Sequence, residues 1–172
     1  MKILILSDSH GLTSELKQIR DQHTGMDLLI HCGDSELQAE DESIKGYTVV
    51  RGNCDFEAAF PEDRVEEVGG LRLFVTHGHS YSVKSTLVNL SYRAREMEAD
   101  IVCFGHSHYL GAEMVDNTLF INPGSIRLPR GIREKTYIIL EAKERDIILD
   151  VYDTATGKIP ELSQKFSLAK KQ

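Results

Sequence analysis

Seven residues in five short phrases carry ligand chemistry. Asp8 and His10 stand in Ser7-Asp8-Ser9-His10, Asp34 follows Gly33, and Asn53 follows Gly52. His77 opens His77-Gly78-His79, and His106 and His108 stand in Gly105-His106-Ser107-His108. Each phrase alone is weak. Together they read as a two-metal centre for phosphoester hydrolysis. Two divalent cations about 3.5–4 Å apart clamp a phosphoryl group and generate a nucleophile at neutral pH. Such a site needs a carboxylate that touches both ions, with imidazole and oxygen ligands filling each shell. Asp and His together suit Mn, Fe or Zn better than Ca or Mg, which prefer oxygen shells. The bland alternative is seven unrelated polar loop residues. Their order, types and placement weigh against it.

The elements that must position these residues are legible as apolar runs. Ile3 to Leu6 is continuous, as expected of a strand buried on both faces, and ends at Ser7-Asp8. Leu28 to Ile30 and Tyr47 to Val50 read as strands leading to Gly33-Asp34 and Gly52-Asn53. Val65 to Val68 and Leu71 to Thr76 flank Gly69-Gly70, a hairpin signal, and the second strand delivers His77. Ile101 to Phe104 leads to Gly105-His106.

Leu12, Leu16 and Ile19 predict a helix with Thr13 or Ser14 near its start. A longer helix is predicted over roughly Val83 to Met97. The rest reads as antiparallel: Ala112 to Val115 with Leu119 to Ile121, and Tyr137 to Leu140 with Ile147 to Tyr152. From about Thr154 the chain is polar and ends Lys170-Lys171-Gln172, which predicts a loosely held tail. The pattern predicts one α/β domain over residues 1–172, with mixed sheets packed face to face and covered by helices. Every candidate ligand follows a strand, where active sites of open α/β sheets gather. The glycines before Asp34, Asn53 and His106 are expected to permit tight turns.

The formal net charge is −7, with no basic run. Duplex binding relies on Lys and Arg neutralising phosphates, so duplex nucleic acid is not an expected partner. Cys32, Cys54 and Cys103 are an odd count without a CxxC pair. This argues against a disulfide framework and for a reducing cytoplasm. The apolar run after Lys2 is shorter than the roughly 7–15 residues of a secretory signal core. No stretch approaches the roughly 20 apolar residues of a membrane span, so no membrane partner is expected. An open edge among the late strands leaves room for a homo-oligomer.

The ordered set DxH, GD, GN, H, GHxH resembles the calcineurin-like metallophosphoesterases over about residues 1–125. The short length and the phrases Gly52-Asn53-Cys54-Asp55 and Asn122-Pro123-Gly124-Ser125 are similar to the small YfcE-type phosphodiesterase branch. The resemblance implies a four-layer α/β/β/α sandwich with two mixed β-sheets. It implies that Asp8, His10 and His108 bind a first metal, that Asn53, His77 and His106 bind a second, and that Asp34 bridges them. A metal-bridging hydroxide would then attack the phosphorus of a small phosphodiester substrate. Manganese is the first choice of metal, with Ni, Fe or Zn as alternatives. The resemblance also places the Asn122 to Ser125 loop beside the metals.

The chain departs from the family at Cys54, where many members carry a histidine that protonates the leaving group. A thiol replaces imidazolium poorly, so good leaving groups are expected. His79 has two readings: a residue beside the substrate that supplies the proton, or a satisfied surface histidine. His31 reads as structural and His23 as solvated. Arg127 and Arg130 are candidates for substrate phosphate or plain loop arginines. Specificity is expected around Phe56, His79, Tyr81, Tyr109 and Arg127. Two rivals remain: a scaffold on the same fold, weighed down by the seven intact ligand positions, and a phosphomonoesterase or nuclease.

Overall fold

The computed structural model describes residues 1–171; Gln172, at the end of the expected tail, lies outside them. Strand β1 (Lys2–Leu6) shows how the layers arise. Side chains alternate across a strand, so Ile3 and Ile5 enter one core while Leu4 and Leu6 enter another. The first core lies between two sheets and the second beneath helix α1 (Ser14–Gln22), which contributes Leu16 and Ile19.

Parallel to β1 run β2 (Leu28–His31) and the short β3 (Thr48–Val49). The hairpin β4 (Asp63–Val68) and β5 (Leu71–Thr76) starts the second sheet, and β6 (Ile101–Cys103) pairs parallel to β5. β7 (Leu110–Val115) and β8 (Thr118–Pro123) complete it in the order β4-β5-β6-β8-β7. The chain then returns to the first sheet with β9 (Thr136–Lys143) and β10 (Asp146–Asp153), antiparallel to each other, β9 pairing antiparallel with β1. Both sheets are therefore mixed. A third core, with Phe74, Val102, Phe104 and Phe120, is covered by Leu90 and Ala94 of helix α2 (Val88–Glu96). Three cores separate four layers, α/β/β/α. Among the described residues no helix is long and apolar enough to cross a membrane.

Two expectations change. The stretch after Thr154 is not loose: β11 (Gly157–Lys158) and β12 (Gln164–Ser167) both pair with β10, and Leu168 is buried in the inter-sheet core. Its polar sequence is that of an edge, polar outward and anchored by Phe166 and Leu168. The predicted helix from Val83 starts only at Val88. Gly78 and Ser82 are left-handed, residues 82–86 form a turn closed onto the Ser82 carbonyl, and the helix begins only after Thr86 Oγ1 accepts the Val88 N–H. Val83 and Leu87 still pack into the third core, which is why the apolar stripe extended that far.

Candidate metal centre

Five strands, parallel to their neighbours among them within each sheet, deliver all seven candidate ligands beyond their carboxyl ends. β1 leads to Asp8 and His10, β2 to Asp34, β3 to Asn53, β5 to His77, and β6 to His106 and His108. The turns that aim these side chains are unusual. Asp8, His10, Asp34, His106 and His108 have φ of 54°, 42°, 59°, 70° and 63°. Left-handed backbone is uncommon for residues with a Cβ and costs about 1–3 kcal/mol each, and such residues cluster at functional sites.

The donor atoms converge in two groups, each within 4.8 Å: Asp8 with His10 and His108, and Asp34 with His77 and His106. Asp34 faces both groups, with Oδ2 3.2 Å from His77 Nε2 and 3.9 Å from His10 Nε2. Asp8 Oδ1 lies 3.2 Å from His108 Nε2 and 3.8 Å from both His10 and His77 Nε2. Asn53 Oδ1 lies 3.1 Å from His77 Nε2.

The rings are held from behind. His77 Nδ1 pairs with the Cys32 carbonyl at 2.7 Å, and His108 Nδ1 with the Leu128 carbonyl at 2.7 Å. A carbonyl only accepts, so each Nδ1 donates and each Nε2 keeps its lone pair for a cation. Asp8 Oδ2 accepts from Ser7 Oγ at 2.5 Å and from the His106 N–H at 3.1 Å, whereas its buried Oδ1 has no hydrogen bond within the described protein. That orphaned oxygen among three Nε2 atoms fits a cation.

The glycines do more than turn the chain. Only Gly33, with φ 102°, needs a left-handed backbone; Gly52 and Gly105 do not. A Cβ at Gly52 would overlap Oδ1 of Asp34 and lie 2.6 Å from its nitrogen. A Cβ at Gly105 would overlap Ser7 Oγ and lie 2.5 Å from Asp8 Oδ2. These two positions clear space for the two carboxylates.

Charge points the same way. Burial, the largest influence on Asp8, opposes its ionisation, yet His108, His77 and Ser7 hold it below the ordinary carboxylate range. Burial also opposes ionisation of Asp34, and His77 with the Cys54 N–H overrides it. Burial opposes protonation of His77, but Asp34 and Asp8 raise it; His108 is raised mainly by Asp8. Burial and the His77 charge push His106 down to about 4. The only salt-bridge partners of the two carboxylates among the described residues are imidazoles. Carboxylates that draw positive charge, beside rings with lone pairs aimed inward, fit divalent metal ions.

The other sequence candidates fall on both sides of the line. His79 is half-buried beside the cluster, its ring 5.4 Å from His77 and 6.1 Å from His106, with Nδ1 unpartnered. Cys54 lies at the rim, its Sγ 3.6 Å from Asn53 Nδ2, and burial followed by the Asp34 charge pushes its thiol up to about 11. The Asn122 to Ser125 loop does adjoin the site. Ser125 Oγ donates to the Asp8 carbonyl, and Asn122 Nδ2 to Gly105 O and Ser107 Oγ.

Tyr81 turns away, donating to Asp63 and packing on Phe74. Arg127 donates to the His10 carbonyl at 2.6 Å. His31 is fully buried, accepting from the Gly33 N–H at Nδ1 and meeting Ser9 Oγ at Nε2. His23 is not simply solvated: it pairs with Tyr137 OH at 2.7 Å and packs edge-on to Tyr152. Asp55 was missed. Its carboxylate accepts the N–H groups of Asp34, Glu36 and Gly52, tying the two ligand loops together. The signal was its place at the end of Gly52-Asn53-Cys54-Asp55, a phrase that assigned it no role.

Residues 1–145 match the family model of the calcineurin-like phosphoesterase superfamily domain. The chain is 46% identical over 169 residues to the probable metallophosphoesterase YsnB of Bacillus subtilis (strain 168), covering 98% of this chain and 100% of that protein. A conserved uncharacterized protein from Streptococcus pneumoniae TIGR4, described as a predicted phosphoesterase, is 39% identical with a TM-score of 0.92 over 96% of this chain and 97% of that one. Yfce, a phosphoesterase from E. coli, is 23% identical (TM-score 0.66, 98% and 100% covered). Vps29 complexed with Zn2+ from Entamoeba histolytica is 19% identical (TM-score 0.78, 97% and 99% covered). The last two likenesses are of fold alone.

Proposed function

The chain belongs to the calcineurin-like phosphoesterase superfamily, and from that premise we propose that it hydrolyses phosphodiesters at a centre of two divalent metal ions. Membership makes it a metal-dependent phosphoester hydrolase. The observation that carries the finer reading is the position of Asp34, whose Oδ2 faces His77 of one donor group and His10 of the other. Asp8, His10 and His108 would hold one ion, Asn53, His77 and His106 the other, and Asp34 both. Such a pair supplies a water of lowered pKa and charge to offset that on the phosphoryl oxygens. Manganese is the first candidate, with Ni, Fe and Zn next.

The chain's own residues set the rest. Cys32, Leu128 and Ser7 fix the ligands before substrate arrives, the preorganisation on which such catalysis depends. Cys54 stands where an imidazole acid is expected, and a thiol raised to about 11 remains protonated but donates weakly. Turnover is therefore best with leaving groups that depart without a proton. His79, half-buried beside His77 and His106, is a second candidate for that proton. An acidic chain with net charge −7 is poorly matched to duplex DNA. A purely scaffolding role has against it seven intact ligand side chains, five of them on left-handed backbone. The likeness to Vps29 bears on fold only.

The test is hydrolysis of bis-p-nitrophenyl phosphate and p-nitrophenyl phosphate by chelator-stripped protein with Mn, Ni, Zn or Mg restored. Metal-dependent turnover favouring the diester, absent in Asp8→Ala, supports the reading. Preference for the monoester would replace it with a phosphomonoesterase.

A further inference from the structure

His10 is oriented differently from its neighbours. His77 and His108 each donate Nδ1–H to a backbone carbonyl, those of Cys32 and Leu128. His10 Nδ1 instead faces a side chain, Glu36 Oε2, at 3.5 Å. Its Nε2 points the other way, 3.8 Å from Asp8 Oδ1, 3.9 Å from Asp34 Oδ2 and 3.4 Å from His108 Nε2. We infer that Glu36 is a positioning residue for the first metal site: its carboxylate accepts the Nδ1–H of His10 and holds the Nε2 lone pair toward the cation. The inference rests on the two-metal reading above.

The placement of Glu36 is over-determined. Its φ is 57°, uncommon for a residue with a side chain. The Glu36 N–H donates to Asp55 Oδ1 at 2.7 Å, and the preceding carbonyl, of Ser35, accepts from the Gly11 N–H at 2.9 Å. The loop bearing Glu36 is thus tied on one side to the Asn53 loop and on the other to the residue after His10. Donor atoms of His10, Glu36 and Cys54 lie within 4.8 Å of one another. Glu36 has no other salt-bridge partner among the described residues. The 3.5 Å contact is an ion-pair distance, and the Glu36 side chain, 42% exposed against 14% for His10, is free to turn closer to Nδ1. Carboxylates behind a ligating histidine fix its tautomer, and their loss costs about 10–100-fold in metal affinity.

The experiment is Mn2+ titration by calorimetry of chelator-stripped wild type, Glu36→Ala, Glu36→Gln and Glu36→Asp, with metal-free melting as the fold control. In Glu36→Ala one ion should bind about 10–100-fold more weakly and the other unchanged. Glu36→Gln, whose amide oxygen still accepts, should recover much of the loss. Glu36→Asp, a methylene shorter, should recover little, and carries the comparison with Glu36→Gln if the alanine variant does not fold. Loss of negative charge alone would weaken both ions alike in Ala and Gln and fade with salt. That pattern, or wild-type binding of both ions in Glu36→Ala, overturns the inference alone. A wild-type chain that binds no Mn2+ overturns the two-metal reading with it.

Discussion

Gly52 and Asp34 are packed so closely that a single methyl group on the glycine would overlap the carboxylate oxygen Oδ1. The backbone of Gly52 needs no left-handed conformation, so the glycine is there for clearance. Replacing it forces the aspartate that faces both donor groups out of place.

Gly52→Ala should lose activity and some stability, since its Cβ would meet the Asp34 backbone nitrogen at 2.6 Å as well as the carboxylate. A displacement of about 1 Å at such a centre costs on the order of 10²-fold in rate. Steady-state kinetics on bis-p-nitrophenyl phosphate, with circular dichroism as the fold control, checks this. Wild-type turnover in the variant would mean that Asp34 has slack that the packing denies.

Asp55 accepts three backbone N–H groups, at 2.9 Å from Asp34, 2.7 Å from Glu36 and 2.7 Å from Gly52. Asp55→Ala strands all three and should cost about 1–3 kcal/mol in chemical denaturation, the range for an unmet hydrogen-bonding group. It should also weaken metal binding, because the loops of Asp34 and Asn53 lose their common tie. Unchanged denaturation would show that water replaces the carboxylate.

Cys54→His restores an imidazole where the thiol, raised to about 11, donates poorly. The variant should gain on a diester with an alkyl leaving group, up to the roughly 10²–10⁴-fold that general acids supply, and change little on bis-p-nitrophenyl phosphate. The ratio of the two rates is the measurement. No gain with metals bound would direct attention to His79 as the proton donor.

His31 is fully buried, and burial lowers its pKa from 6.5 to about 4. The unfolded chain then binds the proton more readily between those values. This contribution to stability is complete above pH 6.5 and falls as pH drops toward 4, by about 3 kcal/mol. In chelator-stripped protein, the stability deficit of His31→Gln relative to wild type should shrink on going from pH 8 to pH 4. A deficit that stays constant would mean that the buried ring titrates normally.

Much of this was written in the chain. The runs ending at Ser7, Gly33 and Gly105 marked the strands, and the polar residues after them marked the candidate ligands, because period and composition are local signals. What was not legible depends on the third dimension. Asp55 acts through backbone groups up to 21 residues away, and Glu36 reaches His10 only because two loops cross. The β12 edge has a polar sequence whose anchor, Leu168, meets the core between the two sheets. The start of α2 was misplaced because Val83 and Leu87 keep the helical stripe although residues 82–86 form a closed turn, the Ser82 carbonyl accepting from the Ser85 and Thr86 N–H groups.

The central claim is two ions acting together, and the most direct test is activity against metal equivalents. Chelator-stripped protein receives Mn2+ in steps while bis-p-nitrophenyl phosphate hydrolysis and bound metal are followed in parallel. The account predicts turnover that rises to a plateau at two ions per chain, with Asp34→Asn binding poorly at both positions. Full turnover at one ion per chain, or two bound ions with no turnover on any diester, would contradict it.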